Sequence, residues 1–186
     1  MNRGPLFRFL ADDHARLAEL LRRAEADGEK IAYGHYAEFR AGLLKHIAME
    51  EKILLPAVRR RRGGQPLPIA DKLHRDHDAL AALLVPTPTP ALLARIRAIL
   101  SDHNFIEEGP QGVYEVCEQL AVGDAESLVA EMRKMPDPDA APHAGGPQVN
   151  IDATGIGRNR PVPAKNSPKR RVASARRRSP TPKISL

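Results

Sequence analysis

One pattern of polar residues occurs twice in this chain, each time inside an apolar stripe, and it limits the possible folds more than any other feature. The first copy is Leu10-x-x-Asp13-His14-x-x-Leu17-Ala18-x-Leu20-Leu21, followed by Leu43-x-x-His46-x-x-x-Glu50-Glu51. The second is Leu73-x-x-Asp76-His77-x-x-Leu80-Ala81-x-Leu83-Leu84, followed by Leu100-x-x-His103-x-x-x-Glu107-Glu108. The first element recurs at an offset of 63 residues and the second at 57, so the difference is absorbed between the elements. Apolar residues returning at steps of three and four define one face of an α-helix. Each half therefore reads as a helical hairpin. Two hairpins predict an all-α fold, an up-down four-helix bundle.

The elements follow in order. Pro5 suits the first position of helix 1, whose stripe is Phe7, Leu10, His14, Leu17 and Leu21, and Asp27-Gly28 should end it. Helix 2 is expected over 33–62 with Tyr36, Phe39, Leu43, His46, Glu50 and Leu54 inward, disturbed at Pro56 and stopped by Gly63-Gly64. Helix 3 follows Pro66 and Pro68, with Leu73, His77, Leu80 and Leu84 as its stripe. Thr89 should cap helix 4, with Pro90 at its first position and Leu92, Ile96, Ile99, His103 and Glu107 inward. Gly109-Pro110 breaks that helix. Short helical pieces are expected over 111–120 and over 125–135, the latter capped by Asp124.

Composition divides the chain at residue 136. The formal charge of +6 is unevenly spread: 136–186 holds ten Lys/Arg against three Asp, and the preceding residues are close to neutral. That tail is rich in Pro, Ser and Arg, without apolar periodicity, and should be disordered. We expect a domain over 1–135, bundle plus short helical extension, and a basic tail over 136–186. The clusters Ser167-Pro168-Lys169-Arg170-Arg171 and Arg176-Arg177-Arg178-Ser179-Pro180 could contact nucleic-acid phosphates, but no aromatic residue lies beyond Tyr114 to stack on bases. The lone Cys117 forms no internal disulfide, no apolar run reaches the length of a membrane span, and no signal peptide is recognisable. A cytoplasmic location is expected.

The chemistry lies in the repeat. His14, His46, His77 and His103 each interrupt an apolar stripe, and Glu50 and Glu107 follow two of them by one helical turn. A lone histidine on such a face is usually a hydrogen-bonded core residue, and a Glu-Glu pair is usually solvated. All six matched in type and register across two halves point instead to a cation. A buried carboxylate is costly unless paired, and a metal ion removes that cost. Four imidazoles and two carboxylates could hold two ions, with each Glu able to bridge. Nitrogen and oxygen donors suit iron, zinc or manganese, and spacing does not choose among them. The chain has no Glu-x-x-His, which disfavours the ferritin-like class, and no His-Glu-x-x-His of zinc proteases. Cys117 reads as a small buried residue, and Tyr114, seven residues after Glu107, as a hydroxyl able to hydrogen-bond the candidate ligands only if helix 4 ran on past Pro110.

Over about residues 5–120 these motifs resemble the hemerythrin-like, or HHE cation-binding, domains. Asp13-His14, His46-x-x-x-Glu50, Asp76-His77 and His103-x-x-x-Glu107 carry the resemblance, and Pro56 also fits it. It implies a non-haem centre of two iron ions with an oxo or hydroxo bridge. His14 and His46 would sit on one iron, His77 and His103 on the other, with Glu50 and Glu107 bridging. The oxygen carriers of that family have a further His at the i−4 position from the third-helix ligand. Here Leu73 stands there, and His74, at i−3, is offset by about 60° around the helix. His74 is thus a further candidate ligand. If it does not ligate, the centre is more open than in a carrier. The resemblance implies binding or sensing of oxygen or a related small ligand, or iron handling. The alternatives are an enzyme turning over peroxide or nitric oxide, and an interaction module whose tail binds nucleic acid.

Overall fold

The helices form where apolar residues recur at helical spacing. The computed structural model describes residues 3–25 and 30–138, together with the backbone of two short strands. Its helices are α1 (Pro5–Ala24), α2 (Tyr33–Met49), α3 (Leu55–Arg61), α4 (Ala70–Leu83), α5 (Pro90–Glu108), α6 (Val113–Leu120) and α7 (Ala125–Arg133). The result is a helical domain in which α1 packs along α2 and α4 along α5, the two pairings the repeat requires. No helix among the described residues is long and apolar enough to cross a membrane.

The expected inward stripes of α1, α2 and α4 are all buried. On α5, Ile96, His103 and Glu107 are buried as expected, but Leu93 is fully buried in place of Leu92, and Ile99 is only half-buried. Thr89 caps α5 as expected, its Oγ1 accepting from the Leu92 N–H at 3.2 Å. Asp124 stands at the N-terminus of α7 but makes no cap bond there. Its carboxylate is taken by Arg61, at 2.5 Å. Helix 1 ends at Ala24 instead of at Asp27-Gly28, which lie outside the described residues.

Helix 2 is not continuous. Between α2 and α3 the backbone makes a π-helical turn, Glu50–Leu54, in which the Leu55 N–H donates to the Glu50 carbonyl. Pro56 explains it. A proline within a helix lacks an N–H and its ring presses on the carbonyl four residues earlier. Widening one turn accommodates both without ending the helix, and such turns favour functional sites.

Packing divides into two apolar clusters. One contains Leu17, Leu21, Tyr36, Phe39, Leu43, Leu80, Leu84, Leu93 and Ile96. The other contains Leu6, Phe7, Leu10, Met49, Leu54 and Leu73 together with Tyr114, Cys117, Leu128 and Met132 from α6 and α7. Polar bonds, one buried and one half-buried, fasten each end. Arg40 donates from Nε to the Leu84 carbonyl at 2.9 Å, satisfying a group at the carboxyl end of α4. At the start of α1, the Phe7 N–H donates to Glu118 Oε2 of α6 at 3.0 Å. Gly4 makes that approach possible, since a Cβ there would lie 2.1 Å from the Glu118 carboxyl group.

The segment beyond residue 138 lies mostly outside the described residues, including both basic clusters. Within the segment expected to lack regular structure, Val149–Ile151 pairs antiparallel with Gly157–Asn159, with Asn150 opposite Arg158.

Candidate metal centre

The interruptions in the apolar stripes fall at one level, between the two clusters. On α1, His14 lies between Leu10 and Leu17. On α2 and its π turn, His46 and Glu50 follow Leu43. On α4, His77 lies between Leu73 and Leu80, and on α5 His103 and Glu107 follow Ile96. All six side chains are buried, none more than 5 % exposed. They converge into two groups able to hold a metal ion: Glu50, His77, His103 and Glu107, and His14, His46 and Glu107. Glu50 reaches toward both sides, with Oε1 3.5 Å from His46 Nε2 and Oε2 3.1 Å from His77 Nε2. Glu107 does the same through one oxygen, Oε2, 3.5 Å from His14 Nε2 and 3.2 Å from His103 Nε2.

The outward nitrogen of every one of these histidines meets a carboxylate. His46 Nδ1 bonds Asp13 at 2.9 Å and His103 Nδ1 bonds Asp76 at 3.3 Å. His77 Nδ1 bonds Glu51 at 2.6 Å and His14 Nδ1 bonds Glu108 at 2.7 Å. The pattern obeys the repeat. In each half the Asp before the first His orients the second His of the same half. The second Glu of the Glu-Glu pair orients the first His of the other half. A carboxylate accepting from Nδ1–H fixes the tautomer and turns the Nε2 lone pair inward, the arrangement of metal-bound histidines.

The centre consequently contains too many acceptors. His77 Nε2 and His103 Nε2 face each other at 3.2 Å, beside two carboxylates. Glu50 Oε2 and Glu107 Oε1 are buried with no hydrogen-bond partner. Buried lone pairs left this way are costly, and positive charge at their focus relieves all of them together. The residues therefore fit a cation. Without one, protons supply the charge. Burial opposes a charged His46, but the Glu50 carboxylate and the Asp13 bond prevail and raise its pKa to about 10. Burial likewise opposes a charged His77, but the Glu50 carboxylate 3.1 Å away and the bond to Glu51 lift it to about 9. Glu50 is held well below the usual carboxylate range, because His46 and His77 overcome the cost of its burial. Glu107 moves upward instead, through burial and the neighbouring Glu50 charge.

His74 is not brought into either group. Its ring is 48 % exposed and its Nδ1 bonds Glu51 at 2.7 Å, on the outer side of that carboxylate. Tyr114, by contrast, lies at the centre. The helix does break at Gly109-Pro110, and the break turns the chain back so that α6 inserts the phenol. Its hydroxyl oxygen is 2.7 Å from Glu50 Oε1, 3.1 Å from Glu107 Oε2, 3.1 Å from His14 Nε2 and 3.2 Å from His46 Nε2. Cys117, one turn further on, is fully buried, and burial together with the Glu50 and Glu107 charges pushes its thiol upward. A thiol held protonated in this way is inert.

Sequence reasoning did not assign Asp13, Glu51, Asp76 and Glu108. Their signal was available, since all four are preserved in register by the repeat. Tyr114 has no counterpart in the other half, so nothing repeated could mark it.

A helical protein with paired imidazole and carboxylate donors focused on its interior belongs to the class built to bind cations. The chain is a member of the hemerythrin HHE cation-binding domain family, whose family model matches residues 6–110. No curated protein and no solved structure matches it.

Proposed function

We propose that this protein is a non-haem di-iron protein whose α1, α2–α3, α4 and α5 form an up-down four-helix bundle around the metals. We infer that it binds or senses oxygen or a related small ligand, as a cytoplasmic protein. The observation that carries this reading is the excess of inward acceptors: four Nε2 atoms and two carboxylates, with an outer carboxylate on every imidazole. His14 and His46 would hold one iron, His77 and His103 the other, and Glu50 and Glu107 would span both. Bound iron would supply reversible electron transfer to oxygen-family ligands. The chain's own part is to hold the imidazoles in one tautomer, to keep water out with the two apolar clusters, and to place the Tyr114 hydroxyl beside Glu50. Full-length protein loaded with ferrous iron under nitrogen should retain about two irons per chain. It should gain charge-transfer absorption in the near ultraviolet on exposure to oxygen. Protein that cannot be loaded, or that is loaded but indifferent to oxygen, peroxide and nitric oxide, would falsify the reading.

A second reading is supported by Leu73. It is buried in the apolar cluster at the i−4 position from His77, while His74 is held outside by Glu51. The ion on the His77/His103 side would then keep an open coordination position, which favours turnover of peroxide or nitric oxide. Steady-state consumption of either separates this enzyme from a binding protein.

A further inference from the structure

We propose that Tyr114 is a protein ligand to the ion on the His14/His46 side, so that the two ions of the centre are chemically unequal. This rests on the di-iron reading above and deepens it.

The first argument is geometric. Two atoms bound at right angles to one ion, each at about 2.1 Å, lie about 3.0 Å apart. The Tyr114 oxygen stands 2.7, 3.1, 3.1 and 3.2 Å from Glu50 Oε1, Glu107 Oε2, His14 Nε2 and His46 Nε2. These four atoms are the donors expected on that ion. A group whose separations from all four bracket the value for neighbouring ligands occupies a fifth coordination position.

The second argument counts hydrogens. A phenol has a single hydrogen to give. Around Tyr114 stand two carboxylate oxygens and two nitrogens whose lone pairs point inward. As a hydrogen-bond donor the hydroxyl serves one carboxylate, Glu50 at 2.7 Å, and the remaining acceptors then depend on protons carried by the imidazoles. As a ligand it joins them on a shared cation, and every lone pair is satisfied. When the ion binds, the Tyr114 O–H bond breaks, the proton passes to solvent and the oxygen lone pair forms the bond to the ion. No oxidation state changes.

The third argument is that the position is built. Tyr114 is fully buried, and Phe7 packs against its ring edge-on with centroids 6.0 Å apart. Its helix is fastened to α1 by the bond from Phe7 N–H to Glu118. The loop before it presses onto the carboxyl end of α5, where a Cβ on Gly112 would lie 2.6 Å from the Glu107 carbonyl. No hydroxyl among the described residues makes a corresponding bond to His77 or His103. Tyr114 also lies beyond residues 6–110, so the extension, not the repeated core, contributes it.

The test uses full-length protein loaded with iron and oxidised to the ferric state. Metal content, visible absorption and resonance Raman spectra are recorded for the wild type, Tyr114→Phe and the control Tyr36→Phe, whose ring lies in the other apolar cluster. Wild type and Tyr36→Phe should show a visible phenolate-to-iron band with enhanced tyrosine ring vibrations. Tyr114→Phe should lose both and hold one of its two irons roughly tenfold more weakly. Wild-type protein with two irons and no tyrosine vibrations overturns the inference and leaves the di-iron reading standing. Protein that takes up no iron overturns both. Should Tyr114→Phe fail to fold, ring-deuterated tyrosine in the wild type decides the matter: an isotope shift supports ligation, and its absence overturns it.

Discussion

The two halves of this protein carry one polar pattern and end up in different surroundings. His77 and His103 face each other at 3.2 Å with Leu73 beside them and the exposed His74 beyond Glu51. His14 and His46 instead share a phenol oxygen delivered by α6. Both pairs are oriented by carboxylates in the same way, so the difference arises above the repeat, from what each end of the fold lays over its ligands. Duplication sets how the donors are held. The elements added around them set what the centre can do. On the reading proposed above, one side would be closed by the Tyr114 oxygen and the other would be left for a small ligand.

Variants can break this comparison. Glu50 and Glu107 touch both sides, so Glu50→Ala or Glu107→Ala should have the largest effect and lower bound iron from about two per chain to below one, measured by mass spectrometry. The histidines should separate the sides. His46→Ala and His103→Ala should each lose about one iron, but only His103→Ala should keep a tyrosine-to-iron signature. Identical spectra from the two variants would remove the asymmetry. The outer carboxylates come next. Asp13→Asn and Asp76→Asn should weaken metal binding by roughly ten- to a hundredfold in chelator competition. The Asp13 change should cost more, since its bond to His46 is 2.9 Å against 3.3 Å for Asp76 to His103. The smallest effect belongs to His74→Ala. Iron content should not change, and the free energy of unfolding in urea should move by no more than about 0.5 kcal/mol. Loss of an iron there would make His74 a ligand after all.

The sequence made the repeated core readable because two independent signals coincide there. The apolar stripes give the helices, and their shared interruptions give His14, His46, Glu50, His77, His103 and Glu107, which the structure brings together. The outer carboxylates were present in the same pattern, but an Asp beside a His looks like ordinary helix surface until the partner helix is in place. Asp13 orients His46 across 33 residues, and Glu108 orients His14 across 94. The π turn could be anticipated at Pro56 only as a disturbance, since a proline does not specify how a helix will absorb it. The position of Tyr114 was hidden because it depends on the angle at which the chain reverses over Gly109 and Gly112. Gln111, with φ at 59°, takes part in that reversal. Spacing along a helix predicts facing only while the helix continues.

The polar layer also divides the apolar interior into two clusters, one around Tyr36 and Phe39 and one around Phe7 and Tyr114. Neither cluster spans the molecule, so the bound cations would couple them. Cooperativity, and not only affinity, would then depend on loading. The holoprotein should unfold in a single transition. After chelation, the end covered by α6 and α7 should melt apart from the end anchored by Arg40, giving two transitions in calorimetry. In that sense the centre would be the joint that lets two small cores behave as one domain.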